Sequence, residues 1–134
     1  MKKEERYNVG LEAINGLTPG VGEAVMQQLQ SIAPDLHKLA VEYFGDFYTR
    51  DEIDPKTRVL TTISAATAAG NAPGILEFHV HAALNMDCSM KEIVEIISHT
   101  TLFIGFPGVM TALKIAKKVF IARGLMEDDG LLDL

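Results

Sequence analysis

Two histidines in the stretch GILEFHVHAALN are the first candidates for chemistry. In a helix each residue advances by about 100°, so His79 and His81 lie about 200° apart and cannot face one pocket within a single chain. His79 shares the apolar face of Leu76, whereas His81 stands four residues after Glu77, a spacing typical of a solvated or interfacial ion pair. His79 is therefore the candidate acid or base, and a hydrogen-bonded structural histidine is the alternative.

A second candidate is the pair Glu95 and His99, again four residues apart. A carboxylate at this spacing can hold one imidazole nitrogen, fix the tautomer and raise the pKa, which prepares the other nitrogen for proton transfer. The alternative is a histidine near a helix C-terminus that interacts with the helix dipole. The turn FIGFPG that follows supplies aromatic and backbone groups for the wall of a small-molecule pocket.

Arg58 is the only charged side chain between Lys56 and Gly70. Its planar guanidinium can grip a carboxylate with two parallel hydrogen bonds, so it is a candidate for binding a carboxylated substrate. A surface arginine paired with the nearby acidic loop is the alternative.

Cys88 offers little for catalysis, because no histidine stands near it in the sequence. One cysteine cannot form an internal disulfide or a CxxC pair, and four histidines without cysteine partners make a structural zinc site improbable. The sequence therefore predicts no metal site.

The length of 134 residues fits one domain, and 48% hydrophobic with 22% charged residues argues against disorder. Twelve basic and eighteen acidic residues give a formal charge of -6, which disfavours nucleic acid as the main partner. No run of 18 apolar residues predicts a membrane span, and the lysines of MKKEERYN precede no apolar segment. The sequence thus favours a cytosolic protein.

Helical periodicity dominates the chain and predicts an all-α, single-domain bundle of six to seven helices. Several helix boundaries follow from local signals: prolines mark helix starts, Ser89 and Glu92 form a capping box, and Gly124 ends the last helix. The predicted helices cover about 3–16, 22–32, 34–48, 55–69, 75–86, 90–103 and 107–123, with a turn over 70–74. The core covers about 6–124, and the acidic tail, 125–134, is either frayed or docked on a neighbouring subunit.

The fourth helix carries the uncharged run VLTTISAATAAG after Arg58. Small side chains let neighbouring helices approach closely, so we expect this helix to be the most buried, at the centre of the bundle.

The chain from EYFGDFY to KKVF, residues 42–120, resembles the carboxymuconolactone decarboxylases of the alkylhydroperoxidase D-like superfamily. The motifs that carry the resemblance are D-x-x-T-R-x-L with Arg58, H-V-x-x-A-L-N from His79, K-E-I-x-E-x-x-x-H ending at His99, and G-x-P from Gly105. Each motif is weak alone, but their order and spacing are specific. The likeness extends more weakly back to Arg6.

The resemblance implies a helical homo-oligomer, commonly a hexamer built as a trimer of dimers. It implies decarboxylation of 4-carboxymuconolactone to β-ketoadipate enol-lactone in the breakdown of protocatechuate, with no metal or organic cofactor. It places His79, Arg58 and His99 in the site.

In this hypothesis Arg58 binds a substrate carboxylate and His79 is the general acid that reprotonates the carbon skeleton. His99, steadied by Glu95, assists charge balance. The expected substrate-binding set is completed by Phe103, Glu77 and His81.

At several motif positions the sequence differs from the family that it resembles. The peroxidase branch carries C-x-x-C-x-x-x-H, and its cysteines would fall at Ala72 and Ile75, so that thiol chemistry is excluded. Decarboxylases often carry Glu at the position of Ile75, Tyr at that of Phe103 and Arg at that of His81. Two alternatives therefore stay open: a peroxide-related redox protein without the CxxC pair, and a noncatalytic oligomeric module that binds small acids.

Overall fold

The structure is a computed structural model and describes residues 2–133. Within that range the chain is helical and contains no strand, which confirms the all-α fold predicted from the sequence. It divides into two compact units, the first ending at Pro55 and the second beginning at Lys56. The helices are α1 (Lys3–Leu17), α2 (Val21–Ile32), α3 (Pro34–Tyr48), α4 (Pro55–Ala69), α5 (Pro73–Asn85), α6 (Met90–His99), α7 (Thr101–Ile104) and α8 (Phe106–Ala122).

The first unit is built on a close crossing of α1 and α3 at two glycines. Gly10 and Gly45 are both buried where the helices cross. A Cβ added at Gly45 would lie 2.7 Å from the Gly10 Cα, and one added at Gly10 would overlap the carbonyl oxygen of Val41. The two backbones are therefore in contact, which only glycine allows at both positions.

A buried histidine connects all three helices of this unit. His37 is 4% exposed, and its Nδ1 donates to the carbonyl oxygen of Met26 on α2 over 2.8 Å. Since a carbonyl only accepts, the Nε2 of the neutral ring is an acceptor, and it receives the hydroxyl of Tyr7 on α1 over 2.9 Å. The sequence analysis did not single out His37.

The second unit has α5 as its most buried helix. Six side chains of α5 are buried, against four on the longer α4. The buried residues of α5 are Leu76, Phe78, His79, Val80, Ala82 and Ala83. The prediction that α4 is the most buried helix is wrong, because its small residues Thr61, Ala65 and Ala68 are exposed. Helix α8 packs against α5, α6 and α7.

The predicted sixth helix is interrupted before Phe103. α6 ends at His99, and the hydroxyls of Thr100 and Thr101 donate to the carbonyl oxygens of Ile97 and Ser98 over 2.7 and 2.6 Å. These bonds occupy carbonyls that a continuing helix would use, so a separate single turn, α7, follows.

Two predicted helix ends are confirmed. Ser89 and Glu92 form the reciprocal capping box at the start of α6. Gly124 follows α8 with φ +71°, a left-handed conformation that ends the helix. The tail beyond it contacts its own chain, since Lys117 of α8 pairs with Asp129 over 2.7 Å. Among the residues described, none of the helices has both the length and the apolar character to cross a membrane.

Substitution Ser89→Ala is expected to lower the free energy of unfolding by about 1 kcal/mol, because it removes the acceptor for the Glu92 amide. Urea unfolding followed by circular dichroism measures this change. The control is Ser31→Ala, an exposed serine near the end of α2, which should change stability by less than about 0.5 kcal/mol. Equal effects of the two substitutions would contradict the capping role.

Candidate functional site

His79 lies in the middle of α5, a helix that begins at Pro73. Its side chain is 2% exposed, which confirms the prediction that it faces the buried side. Nδ1 donates to the carbonyl oxygen of Ile75 over 2.8 Å. Because the carbonyl only accepts, the neutral ring carries its hydrogen on Nδ1 and a lone pair on Nε2.

Burial lowers the pKa of His79 below its usual value, and the hydrogen bond to the Ile75 carbonyl opposes this shift only in part. The neutral imidazole is therefore the main form near neutral pH. Once protonated at Nε2, such a ring is a stronger acid than an ordinary imidazolium and readily gives up that proton.

The lowered pKa predicts that stability decreases in mildly acidic solution. Unfolding restores the ordinary pKa of about 6.5, so protons bind the unfolded chain more readily. The contribution of neutral His79 is fully present above about pH 6.5 and is lost as the pH falls through the lower pKa of the folded protein. In His79→Gln, the drop in the free energy of unfolding between about pH 7.5 and about pH 5 should be smaller. Identical drops in both proteins, measured by urea unfolding, would contradict this account.

Glu95 and His99 lie together on the wall of an open groove of about 700 Å³ along α6. Both side chains are exposed, and among residues 2–133 they form no hydrogen bond or ion pair with each other. The groove is lined by Leu60, Ser89, Lys91, Glu92, Glu95, Ile96, Ser98 and His99. It therefore offers ionisable groups of both signs to a ligand.

Arg58 lies in the first turn of α4 and is half-buried. Leu60, two residues later, lines the groove, but within the described chain neither Arg58 nor His79 does. The structure thus brings Glu95 and His99 to one groove, whereas the other five predicted site residues do not line it.

A smaller cavity of about 180 Å³ lies beside the first turns of α5. It is lined by Ala66, Thr67, Gly70, Ala72, Pro73, Leu76, Gly108, Thr111, Ala112 and Ile115. The hydroxyls of Thr67 and Thr111 donate to backbone carbonyls of their own helices, so the lining suits an apolar group. Leu76 stands one turn before His79. The sequence analysis missed this cavity, although the small residues of GNAPG and Gly108 signal space there.

Instead of the predicted pair with each other, Glu77 and His81 have partners on α8 and at the residue that follows it. The carboxylate of Glu77 forms an ion pair with the ammonium of Lys118 over 3.2 Å. The Nδ1 of His81 accepts a hydrogen bond from the guanidinium of Arg123 over 3.4 Å. Burial and, secondly, the charge of Arg123 lower the pKa of His81. Arg123 also donates to Asn85 over 2.8 Å. These residues form a polar seam between α5 and α8.

Phe103 and Cys88 differ sharply in exposure. Phe103 is 75% exposed, and its ring centroid lies 6.2 Å from that of His99.

Cys88 is buried, and burial raises the pKa of its thiol, which disfavours the nucleophilic thiolate. Among residues 2–133, no three His, Cys, Asp or Glu side chains are grouped so that they could hold a metal ion.

Comparison with known proteins gives the same family as the motifs. The sequence profile of the carboxymuconolactone decarboxylase family matches residues 34–118. An uncharacterized 15.0 kDa protein from the nqo9–nqo10 intergenic region of Paracoccus denitrificans is 32% identical over 87% of this chain and 89% of its own length. The 4-carboxymuconolactone decarboxylase of Acinetobacter baylyi is 28% identical over 93% of this chain and 94% of its own length.

The profile match covers more than half of the chain and includes α4 to α6, the cavity beside α5 and all seven predicted site residues. With the motifs, the all-helical fold and the two relatives in agreement, the chain belongs to the carboxymuconolactone decarboxylase family.

Proposed function

We propose that the protein decarboxylates 4-carboxymuconolactone to β-ketoadipate enol-lactone and carbon dioxide, or a related small carboxylated lactone to the corresponding decarboxylated lactone, without a cofactor. Membership of the family and the similarity to the Acinetobacter baylyi decarboxylase support this substrate class. The reaction belongs to the breakdown of protocatechuate, and we place it in the cytoplasm.

The observation that carries the proposal is the buried imidazole of His79, with its tautomer held by the Ile75 carbonyl. In decarboxylation the bond between the carboxylate and the ring carbon breaks, and its electron pair moves into the unsaturated lactone. One proton must then be added to carbon. The imidazolium of His79 supplies this proton from Nε2 and returns to the neutral form that burial favours.

The other site residues bind and orient the substrate in this proposal. Arg58 holds a carboxylate in its guanidinium fork, which fixes the geometry for loss of carbon dioxide. His99 and Glu95 balance charge from the groove that they line. Phe103, Glu77 and His81 are assigned to the periphery of the substrate.

The apolar cavity beside α5 provides space for the lactone ring in this proposal. Its ten lining residues are mostly small or aliphatic, which suits the apolar part of a lactone ring.

We further propose that the active form is a homo-oligomer, a hexamer arranged as a trimer of dimers. The support on the chain itself is its exposed apolar surface on the adjoining helices α7 and α8, which includes Leu102 at 87% and Phe106 at 66% exposure. Large apolar side chains at such exposure are typical of surfaces that bind another protein.

The test is to incubate the purified protein with 4-carboxymuconolactone and to follow both carbon dioxide and the enol-lactone. Stoichiometric release of the two products supports the proposal. A rise in melting temperature with this compound but without turnover would instead indicate a noncatalytic module that binds small acids. Consumption of peroxide with a dithiol donor, also without decarboxylation, would indicate a redox protein.

A further inference from the structure

The apolar cavity beside α5 has a buried floor and an open rim. Its floor is formed by residues that are buried, among them Ala66, Leu76 and Ala112, and its rim by residues that are exposed to water, among them Gly70 and Thr111. All of its lining residues belong to the second unit. A ligand that enters the cavity therefore places one end on the floor and keeps its other end in water.

Among the residues described, the lining of the cavity has no side-chain donor that remains free for a polar ligand. None of the ten lining residues carries a charged side chain. The hydroxyls of Thr67 and Thr111 already donate to the carbonyl oxygens of Ile63 and Pro107 over 2.8 and 3.2 Å. A carboxylate buried here would lose its water without gaining a partner. The buried end of the ligand is therefore a hydrocarbon group.

The cavity is larger than the hydrocarbon part of the lactone assigned to it. Its volume is about 180 Å³, and an engineered cavity of about 150 Å³ lined by aliphatic and aromatic side chains holds a benzene ring. 4-Carboxymuconolactone offers only a short hydrocarbon edge, because the rest of its ring carries oxygen atoms and carboxylate arms. Space left empty above an apolar floor forfeits dispersion contacts, so an additional alkyl group on the substrate would be stabilised there.

We propose that the substrate is a carboxylated lactone with a small alkyl group on its ring, and that the cavity binds this alkyl group and selects for it. The inference rests on the proposed function, since it names the substrate within the class proposed there. Leu76 lies on the cavity floor one helical turn before His79, so an alkyl group seated on it holds the ring beside the helix that carries the proposed acid. The carboxylates stay at the open rim.

The first experiment tests the cavity without substrate. Toluene is the probe, and its binding is measured by isothermal titration calorimetry and by the melting temperature from circular dichroism. We expect saturating toluene to raise the melting temperature of the wild type by about 2 °C or more, because a ligand that binds only the folded state stabilises it. A wild type with no heat of binding and no shift in melting temperature would overturn the inference.

Two substitutions fill the cavity from α8. Ala112→Leu enlarges a buried floor residue, and Thr111→Leu enlarges an exposed rim residue, so the second variant should fold even if the first does not. Each should weaken toluene binding by at least about tenfold, because the added side chain occupies the space of the ligand. The matched control is Thr61→Leu, since Thr61 is an exposed threonine of α4 outside the ten lining residues, and it should bind toluene as the wild type does. A folded Thr111→Leu with wild-type affinity for toluene would contradict the assignment of the cavity.

The second experiment compares substrates. Three analogues of 4-carboxymuconolactone carry a methyl, an ethyl or a hydroxymethyl group on the double bond of the ring. Each carbon buried in the cavity should raise kcat/KM about fourfold, so the ethyl analogue should exceed 4-carboxymuconolactone by about tenfold or more. The hydroxymethyl analogue has nearly the size of the ethyl analogue but should fall below the methyl analogue, because its hydroxyl would be buried without a hydrogen-bond partner.

The same variants connect this preference to the cavity. The ratio of kcat/KM between the ethyl analogue and 4-carboxymuconolactone should decrease at least about fivefold in Thr111→Leu and should stay at the wild-type value in Thr61→Leu. Alkyl analogues that react no better than 4-carboxymuconolactone in the wild type would refute the proposed selection.

The two proposals fail separately. Toluene binding that Thr111→Leu weakens, with no decarboxylation of any of the four lactones, keeps the hydrocarbon site and rejects the proposed function. Decarboxylation of 4-carboxymuconolactone without toluene binding and without a preference for the alkyl analogues keeps the function and rejects the inference.

Discussion

Substitution His79→Gln is expected to reduce the turnover of 4-carboxymuconolactone by at least about 100-fold, with the helical content unchanged. The glutamine amide can still donate a hydrogen bond near the Ile75 carbonyl, but it cannot carry and release a proton at neutral pH. The loss should therefore fall on kcat, since the proton is needed in the reaction and not for binding. Steady-state assays of product formation measure it.

The matched control is His37→Gln, which removes the other deeply buried histidine, in the first unit. This variant should be less stable, because it disturbs the bonds to Tyr7 and Met26, but its folded fraction should retain turnover. Full activity in His79→Gln would remove His79 from the proton transfer. An equal loss of turnover in both variants would indicate that His79→Gln acts through folding and not through proton transfer.

The pH dependence of the wild type tests the same role independently. If His79 reacts as the imidazolium, kcat/KM should decrease as the pH rises through a value below the ordinary pKa of about 6.5, because burial lowers the pKa of the free enzyme. A kcat/KM that increases over this range would require neutral His79 as a base.

The second large effect is expected for Gly10→Ala, which should lower the free energy of unfolding of the first unit by about 3 kcal/mol or more. The added methyl group would overlap the carbonyl oxygen and the side chain of Val41, and these atoms belong to the buried crossing with α3. The backbones must separate to admit it. Urea unfolding followed by circular dichroism measures the change.

Gly16→Ala is the matched control on the same helix. No atom lies within 4 Å of a Cβ added there, so the substitution should stabilise α1 by about 0.5–1 kcal/mol through its better helix propensity. If Gly10→Ala behaves like Gly16→Ala, the close contact of α1 and α3 is not required for stability.

Much of the fold follows from local sequence signals. Pro34 and Pro55 begin helices at the predicted positions, and Ser89 with Glu92 sets the start of α6. Capping and proline effects depend on neighbouring residues only, so they can be inferred without the tertiary structure. The break at Thr100 was missed because no glycine or proline marks it.

The burial of α4 could not be inferred because small uncharged residues suit a solvent-facing surface as well as a close packing contact. Ala65 and Ala68 face outwards, whereas α5, with bulky Leu76 and Phe78, fills the interior. Which of two apolar helices lies inside is decided by the partners that each one meets, and the sequence does not state those partners.

For the site, helical periodicity separated His79 from His81 and predicted correctly which of them is buried. It could not predict that Glu77 and His81 would contact Lys118 on α8 and Arg123 just after it, because these partners stand about forty residues further along the chain. Long side chains on a neighbouring helix compete for the same polar partners, and the i,i+4 rule takes no account of them.

The hydrogen bonds of His37 constrain which substitutions the sequence can accept during evolution. Loss of the Tyr7 hydroxyl leaves the Nε2 of a 4% exposed imidazole without its donor, and loss of the imidazole leaves the Met26 carbonyl with one bond fewer. A change at either position is therefore costly until the other changes as well. We expect Tyr7 and His37 to be inherited as a pair among descendants that keep this packing, and to be replaced together where they do not.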